Sequence, residues 1–400
     1  MNAVGIDVSK GKSTVAVMRP FGEIVISPFE VMHTESELKG LAEKLLALPG
    51  ETKIVMEYTG NYYTSIANYL CKAGLFVSVV NAILIHDYKN NSLRRVKTDK
   101  KDALKLANYA IDSWVDLVKF HVEDEARTML KSYYRQYEQY SKIHTMMNNN
   151  LIALLDSTYP NVNTLFSGNT IIDGREKWID YVIKYPHKDM VAKKGIKSFK
   201  KSYSTWCQKN GYRYSEKKAE ELYEQAKEIS CNLSDDVYSR SMIITAANQL
   251  QELNKSLAKL KKEMNEIASM LPEYFVVMSM YGVGEVLGPQ LMAEIGNISR
   301  YHSKKALVAY AGIDSQPYQS GTINVKSCKM SKRGSSSLRH TLFVVMQIYI
   351  KNAPADEPIY QFLMKKKSEG KHYKVYMMAG ANKFLRQYYA IVTNYINSLN

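Results

Sequence analysis

The sequence predicts an α/β domain followed by a mostly helical remainder, and three observations carry that prediction. Short apolar runs recur between residues 4 and 80 with helical spacing between them, the pattern of strands covered by helices. Past residue 120 the strand pattern gives way to apolar residues stepping by three and four. The 400 residues suffice for two or three domains, and 46% hydrophobic residues exclude wholesale disorder.

Val4, Ile6 and Val8 alternate with Gly5 and Asp7, which predicts a half-buried strand. Ser13–Met18 and Glu23–Ser27 read as two more strands, joined by a turn carrying Pro20 and Gly22. Leu38, Leu41, Leu45 and Leu48 fall at helical spacing and stop at Pro49-Gly50. Lys53–Met56 and Leu75–Val80 suit buried strands, with a helix over Asn61–Ala73 between them. A helix from Thr98 to about Asp116 closes a mixed-sheet domain over residues 1–120.

Residues 121–271 read as a helical region. Residues 123–158 predict one long helix rich in Tyr and Met. Ile243, Ala246, Leu250, Leu253, Leu257, Leu260, Met264, Ile267 and Leu271 form a sustained heptad seam. The seam predicts a coiled coil or long bundle helix, facing either its own protein or a second copy. Between these helices, residues 159–235 carry Pro160, Gly168, Gly174, Pro186 and Gly195, and the lysines Lys193, Lys194, Lys197, Lys200 and Lys201. They predict an irregular, partly helical basic insert. Residues 272–400 predict a last, mostly helical domain.

Lys and Arg total 54 against 39 Asp and Glu, a formal charge of +15. Such an excess points to polyanions, meaning nucleic acid or an acidic membrane. No apolar run reaches the roughly 18 residues a membrane span needs. Met1–Gly5 lacks a basic segment followed by an apolar one, so no signal peptide is expected. Cys71, Cys207, Cys231 and Cys328 form no CxxC pair, which argues against zinc and a disulfide scaffold and suits the cytosol.

Four carboxylates stand out. Asp7 sits mid-strand among Val and Ile, where Asp is unfavourable. Glu57 ends the next buried strand, and would converge with Asp7 if the first and fourth strands are neighbours. Asp99 and Asp102 share one helix face at i, i+3, near the N-terminus where the dipole favours them. Hard oxygen ligands of this kind suit Mg²⁺ or Mn²⁺. Two such ions roughly 3.5–4 Å apart can clamp a phosphodiester. Arg94, Arg95, Lys97 and Lys100 add phosphate-binding charge nearby. The blander alternative makes Asp99 and Asp102 helix-start acids and Glu57 a surface residue, but it leaves Asp7 unexplained.

Toward the C-terminus, Gly282-Val283-Gly284 precedes a helical stretch and offers backbone N–H groups to a phosphate. From Ser315 to Ala355 there is no Asp or Glu, while Lys326, Lys329, Lys332, Arg333 and Arg339 and several serines are present. An uncompensated basic, hydroxyl-rich stretch is a phosphate-binding footprint.

The first domain, with Gly5-Ile6-Asp7-Val8-Ser9-Lys10, Glu57-Tyr58-Thr59-Gly60 and Lys97-Thr98-Asp99-Lys100-Lys101-Asp102-Ala103, resembles the RuvC-like, RNase H-type nucleases. Adding Ala309-Tyr310-Ala311-Gly312-Ile313, Pro317-Tyr318-Gln319-Ser320-Gly321 and Ser331-Lys332-Arg333-Gly334, the chain resembles the DEDD-type insertion-sequence transposases. That group includes Piv-like DNA invertases and bridge-RNA-guided recombinases. The resemblance implies an RNase H-like domain, long coiled-coil helices and a helical C-terminal transposase domain. It implies metal held by Asp7, Glu57, Asp99 and Asp102, and a serine nucleophile at Ser320, with Ser315 the alternative. It further implies DNA substrates, a guide RNA, a homo-oligomer (dimer or tetramer), a composite site and a cytoplasmic, nucleoid-associated protein of a bacterium or archaeon. Two other readings stay open: a RuvC-like junction endonuclease whose C-terminal domain is only a DNA clamp, and a non-enzymatic nucleic-acid-binding coiled-coil protein.

Overall fold

The computed structural model describes residues 1–60, 62–88, 98–166, 174–315, 318–320, 323–325 and 329–399, with the backbone alone at Asp87, 318–320 and 323–325. The chain divides into two compact units, Met1–Val122 and Glu123–Asn400.

The first unit runs β1 (Asn2–Val8), β2 (Lys12–Arg19), β3 (Glu23–Met32), α1 (Glu35–Leu46), β4 (Thr52–Glu57), α2 (Tyr62–Lys72), β5 (Phe76–Val80), α3 (Ala82–Asp87) and α4 (Asp99–Asp112). Among the described residues the strands form one sheet in the order β3-β2-β1-β4-β5. β1, β2 and β3 are antiparallel, and β4 and β5 run parallel to β1. This mixed sheet is consistent with an RNase H-like domain. β3 continues to Met32, past the expected end at Ser27 and through Pro28. It is the sheet edge, where a missing N–H costs no ladder bond. α4 stops at Asp112 rather than near Asp116, with Ser113 as its cap.

Strand alternation sorts the core onto two faces. Val4, Ile6, Val8, Val15, Val17, Ile54 and Met56 pack with leucines of α1 and with Ile66 and Leu70 of α2. On the other face, Ala3 and Val55 pack with Leu106 and Ala110 of α4 and Ile85 of α3. Thr98 starts α4 by accepting the N–H of Lys101.

The second unit is built on a long helical hairpin, α5 (Glu125–Leu155) and, further along, a helix over Val237–Ser269. Between them lie α6 (Lys177–Lys184), α7 (Asp189–Ala192), α8 (Ile196–Lys209) and α9 (Glu216–Glu228), so the later hairpin helix is α10. Among its described residues the insert is partly helical, as expected, and it has a core of its own. Tyr159, Trp178, Tyr181, Tyr185, Phe199, Tyr203 and Trp206 close an aromatic core with Leu151 and Leu155 of α5 and Ile243 and Leu250 of α10. Short helices punctuated by Pro186, Gly195 and Gly211 hide the periodicity that longer helices display. Part of its lysine charge is compensated: Lys200 pairs with Glu216 and Glu220, and Lys193 with Asp189.

Both ends of the α10 seam are engaged within the chain, while Leu253, Leu257 and Leu260 between them are half-buried. Leu130 and Tyr134 of α5 share a core with Met264, Ile267 and Ala268, while the other end of α5 meets Ile243 and Ala247. The two helices are thus antiparallel. Arg127 and Glu273, both buried, pair bidentately where the hairpin meets the C-terminal helices, Nη2 donating to Oε2 at 2.9 Å. Tyr133, Tyr134 and Tyr137 pack into this core rather than facing outward.

The chain ends with α11 (Tyr274–Met278), α12 (Leu287–Ile295), α13 (Lys304–Ala311), the strand pair β6 (Tyr318–Ser320) and β7 (Ile323–Val325), then α14 (Ser336–Asn352), α15 (Pro358–Ser368) and α16 (Tyr373–Leu399). Leu291, Leu342, Val345, Met377 and Phe384 continue the core that holds the base of the hairpin. Among the described residues no helix is long and apolar enough to cross a membrane.

Candidate active site

β1 and β4 are parallel neighbours in register from Asn2–Thr52 to Ile6–Met56, so Asp7 and Glu57 are the next residues along adjacent strands. Alternation places Ala3, Gly5 and Asp7 on one face, with Val55 and Glu57 beside them. α4 covers this face. A Cβ on Gly5 would lie 2.0 Å from the Ala103 carbonyl oxygen, so helix and strand touch backbone to backbone. Ala110 shares a core with Ala3, whereas Ala103 sits over Gly5, so α4 runs antiparallel to β1. Its first turn, with Asp99 and Asp102, therefore lies toward the Asp7 end. The structure brings the four carboxylates to one end of one sheet face. Among the described residues, no three Asp, Glu, His or Cys side chains are gathered closely enough to hold a metal ion.

The same face carries a cation that the sequence reading missed. Asp7 pairs with Thr14 of β2, and Lys12 lies two residues before Thr14. Lys12 Nζ is 2.9 Å from Glu30 Oε1 of β3. Glu30, and more weakly Asp99, hold the Lys12 ammonium above its ordinary range. Neither residue was readable from spacing, because their meeting depends on the β2–β3 register.

Ser320 is the last residue of β6 and pairs with Ile323 of β7. The strand pair is an excursion between α13 and α14. Ser315, the alternative nucleophile, bridges Met330 at the foot of that excursion. Gly312 ends α13 with φ +64, and its Cβ would lie 2.7 Å from Gly334 N. A Cβ on Gly334 would lie 2.0 Å from Tyr310 O. The two ends of the excursion therefore meet backbone to backbone, which only glycine permits. Gly282 and Gly284 lie in the turn between α11 and α12. Gly282 has φ +72 and lies against the Tyr349 ring, whereas Gly284 faces open space.

Residues 4–160 match a family model described as transposase, of the DEDD type of IS110. Residues 275–361 match a second model, described as the transposase IS116/IS110/IS902 family. The chain belongs to the IS110 family of transposases. It is 23% identical over 340 residues to the pilin gene-inverting protein of Moraxella bovis, which covers 85% of this chain and 79% of that protein. It is 22% identical over 367 residues to an uncharacterized 44.8 kDa protein of insertion element IS116 from Streptomyces clavuligerus, covering 92% of this chain and 88% of the relative.

An IS110-family transposase acts on DNA, and its basic residues fall into distinct groups. Arg94, Arg95, Lys97 and Lys326 lie outside the described residues. Lys100, Lys329, Lys332 and Arg333 are exposed. Arg339 is half-buried, and its Nη1 donates to the carbonyls of Ala311 and Gly334 at 3.0 and 2.9 Å. A further cluster went unread: Lys365, Lys367, Lys371 and Lys374 are all exposed around the turn between α15 and α16. The signal was present, since no Asp or Glu occurs from residue 370 to 400.

Proposed function

We propose that this IS110-family protein cuts and rejoins DNA through a covalent phosphoserine link, with Ser320 as nucleophile and Asp7, Glu57, Asp99 and Asp102 as metal ligands. The observation that supports the reading is the β1–β4 register with the antiparallel run of α4, which puts these four positions at one end of one sheet face. Their donor set fits a hard divalent ion, because every ligand is a carboxylate oxygen. Bound there, Mg²⁺ or Mn²⁺ would supply Lewis-acid stabilisation of charge on the phosphate. Lys12, paired with Glu30, puts an ammonium on the same face.

The serine chemistry conserves bond energy. Ser320 Oγ loses its proton and forms a bond to phosphorus, while the ester bond to the leaving strand breaks. The departing oxygen takes up a proton and becomes a free hydroxyl. Rejoining is the reverse with a different strand, so no nucleotide hydrolysis is required. Exposed Lys329, Lys332 and Arg333 follow Ser320 in the chain and offset charge on the pentacoordinate phosphorus. A guide RNA paired to target and donor would leave the protein mostly phosphate contacts, which suits its +15 charge. A homo-oligomer would supply the further serine needed to open a second strand.

Ser320→Ala is expected to remove the protein–DNA adduct trapped in denaturant while DNA binding persists. An adduct at the wild-type level overturns the Ser320 assignment. Metal-dependent nicking by the wild type without any adduct indicates a junction endonuclease instead. Replacing Lys365, Lys367, Lys371 and Lys374 with Gln is expected to flatten log Kobs against log salt by up to roughly 3.6, about 0.9 for each lost phosphate contact. An unchanged slope in a binding titration removes this cluster from the DNA interface.

A further inference from the structure

We propose that the buried carboxylate of Glu294, with Arg135 and Arg339, positions the nucleophile-bearing loop. This rests on the Ser320 reading above. Glu294 lies on α12 and is 1% exposed. Its Oε2 accepts from Ser335 Oγ at 2.5 Å, and its Oε1 sits 2.6 Å from Arg135 Nη2 on α5. Ser335 is the N-cap of α14, accepting from Leu338 N at 3.1 Å. Its own N–H donates to Tyr310 O on α13 at 2.8 Å. Arg339 grips both ends of the loop through the carbonyls of Ala311 and Gly334. Arg135 also reaches Ser337 Oγ and Glu138.

The loop from Ser315 to the start of α14 contains no acid of its own. The buried carboxylate at its base comes instead from the helix that follows Gly282-Val283-Gly284. Glu294 therefore sets the serine loop in register with the turn expected to face a phosphate. Stability alone does not call for this arrangement. Glu294 alone is withdrawn from water, whereas Arg135 stays 44% exposed, and a buried carboxylate costs stability unless its partners use it. What an apolar pair cannot do is hold the Ser335 hydroxyl that caps α14 where the loop returns. A reacting group held to within about 0.5 Å needs such a supporting layer.

The test compares the full-length protein with Arg135→Met/Glu294→Met, which removes both charges together. Thermal stability and DNA binding are expected to stay close to wild type. Amide exchange at residues 312–315 and 329–335 is expected to speed up at least tenfold. Adduct formation in preassembled protein–DNA complexes is expected to slow at least tenfold, with the DNA concentration at half-saturation unchanged. Ser335→Ala provides a second route, removing the hydroxyl between Glu294 and the α14 cap; it is expected to lose some thermal stability with the cap and to slow adduct formation with DNA binding unchanged. Wild-type adduct rates in either folded variant overturn the proposal, as does a loss of rate that follows a loss of DNA binding in proportion. If Ser320→Ala still forms the adduct, the nucleophile reading fails, while the exchange measurement continues to report on the anchor.

Discussion

Asp7→Asn is expected to abolish strand cleavage, by roughly a thousandfold or more, while fold and DNA affinity survive. The magnitude follows from the several kcal/mol that metal stabilisation of a reacting phosphate supplies, at about 1.4 kcal/mol per factor of ten. Asn preserves the size of Asp and one carbonyl oxygen, so the strand pairing of β1 with β2 and β4 has no reason to change. What is lost is the charge that a hard cation requires. Asp7 is the most telling of the four positions because it stands in the sheet itself, between two strands that fix its direction. Single-turnover cleavage across a Mg²⁺ titration is the measurement. A ligand role shifts the half-saturating metal concentration upward as well as lowering the maximal rate. Cleavage at the wild-type rate makes the acids structural and favours a protein that only organises nucleic acid.

The four carboxylates were legible in the sequence because each breaks a local rule or obeys a spacing. Asp7 interrupts an apolar strand, Glu57 ends one, and Asp99 and Asp102 share a helix face. Placing them together needed one further assumption, that the first and fourth strands are neighbours, and the sheet has that order. Three features were not legible, each for a physical reason. The Lys12–Glu30 pair depends on a register set by β3, which runs on through Pro28 beyond its apparent end. The insert packs through aromatic rings on short helices, so no aliphatic period marks it. Arg339 looked like a phosphate ligand by composition, yet its Nη1 is already engaged by two backbone carbonyls. Charge counts say that a polyanion is expected, but they do not say which cations the fold has already used. The heptad seam has the same ambiguity, since its pattern is identical whether the partner is α5 or another chain.

Gly5→Val is expected to disable the first unit from a position that bears no chemistry. Glycine inside a strand weakens it, so its presence marks a close approach. Here a single added Cβ would meet Ala103 O at 2.0 Å, Ala107 N at 2.4 Å and Leu106 Cβ at 2.9 Å. Two of those atoms are helix backbone, which cannot step aside as a side-chain tip can. α4 must lift from β1 or the strand must bend, at a cost of about 3 kcal/mol or more for overpacking of this kind. Amide exchange in β1 and α4 should then accelerate about a hundredfold, because protection there reports local opening free energy. Peptides from α5 and α10 serve as the internal reference. Lifting α4 also moves Asp99 and Asp102 away from Asp7 and Glu57, so the metal requirement should rise even in molecules that remain folded. Gly40→Ala is the contrasting substitution: it lies inside α1 with nothing within 4 Å of its Cβ position. That change should slow exchange of α1 slightly, by about 0.5–1 kcal/mol of added stability. If Gly5→Val leaves α4 as protected as in the wild type, the backbone contact that orients α4 over Asp7 is not the one described, and the convergence of the four carboxylates loses its foundation.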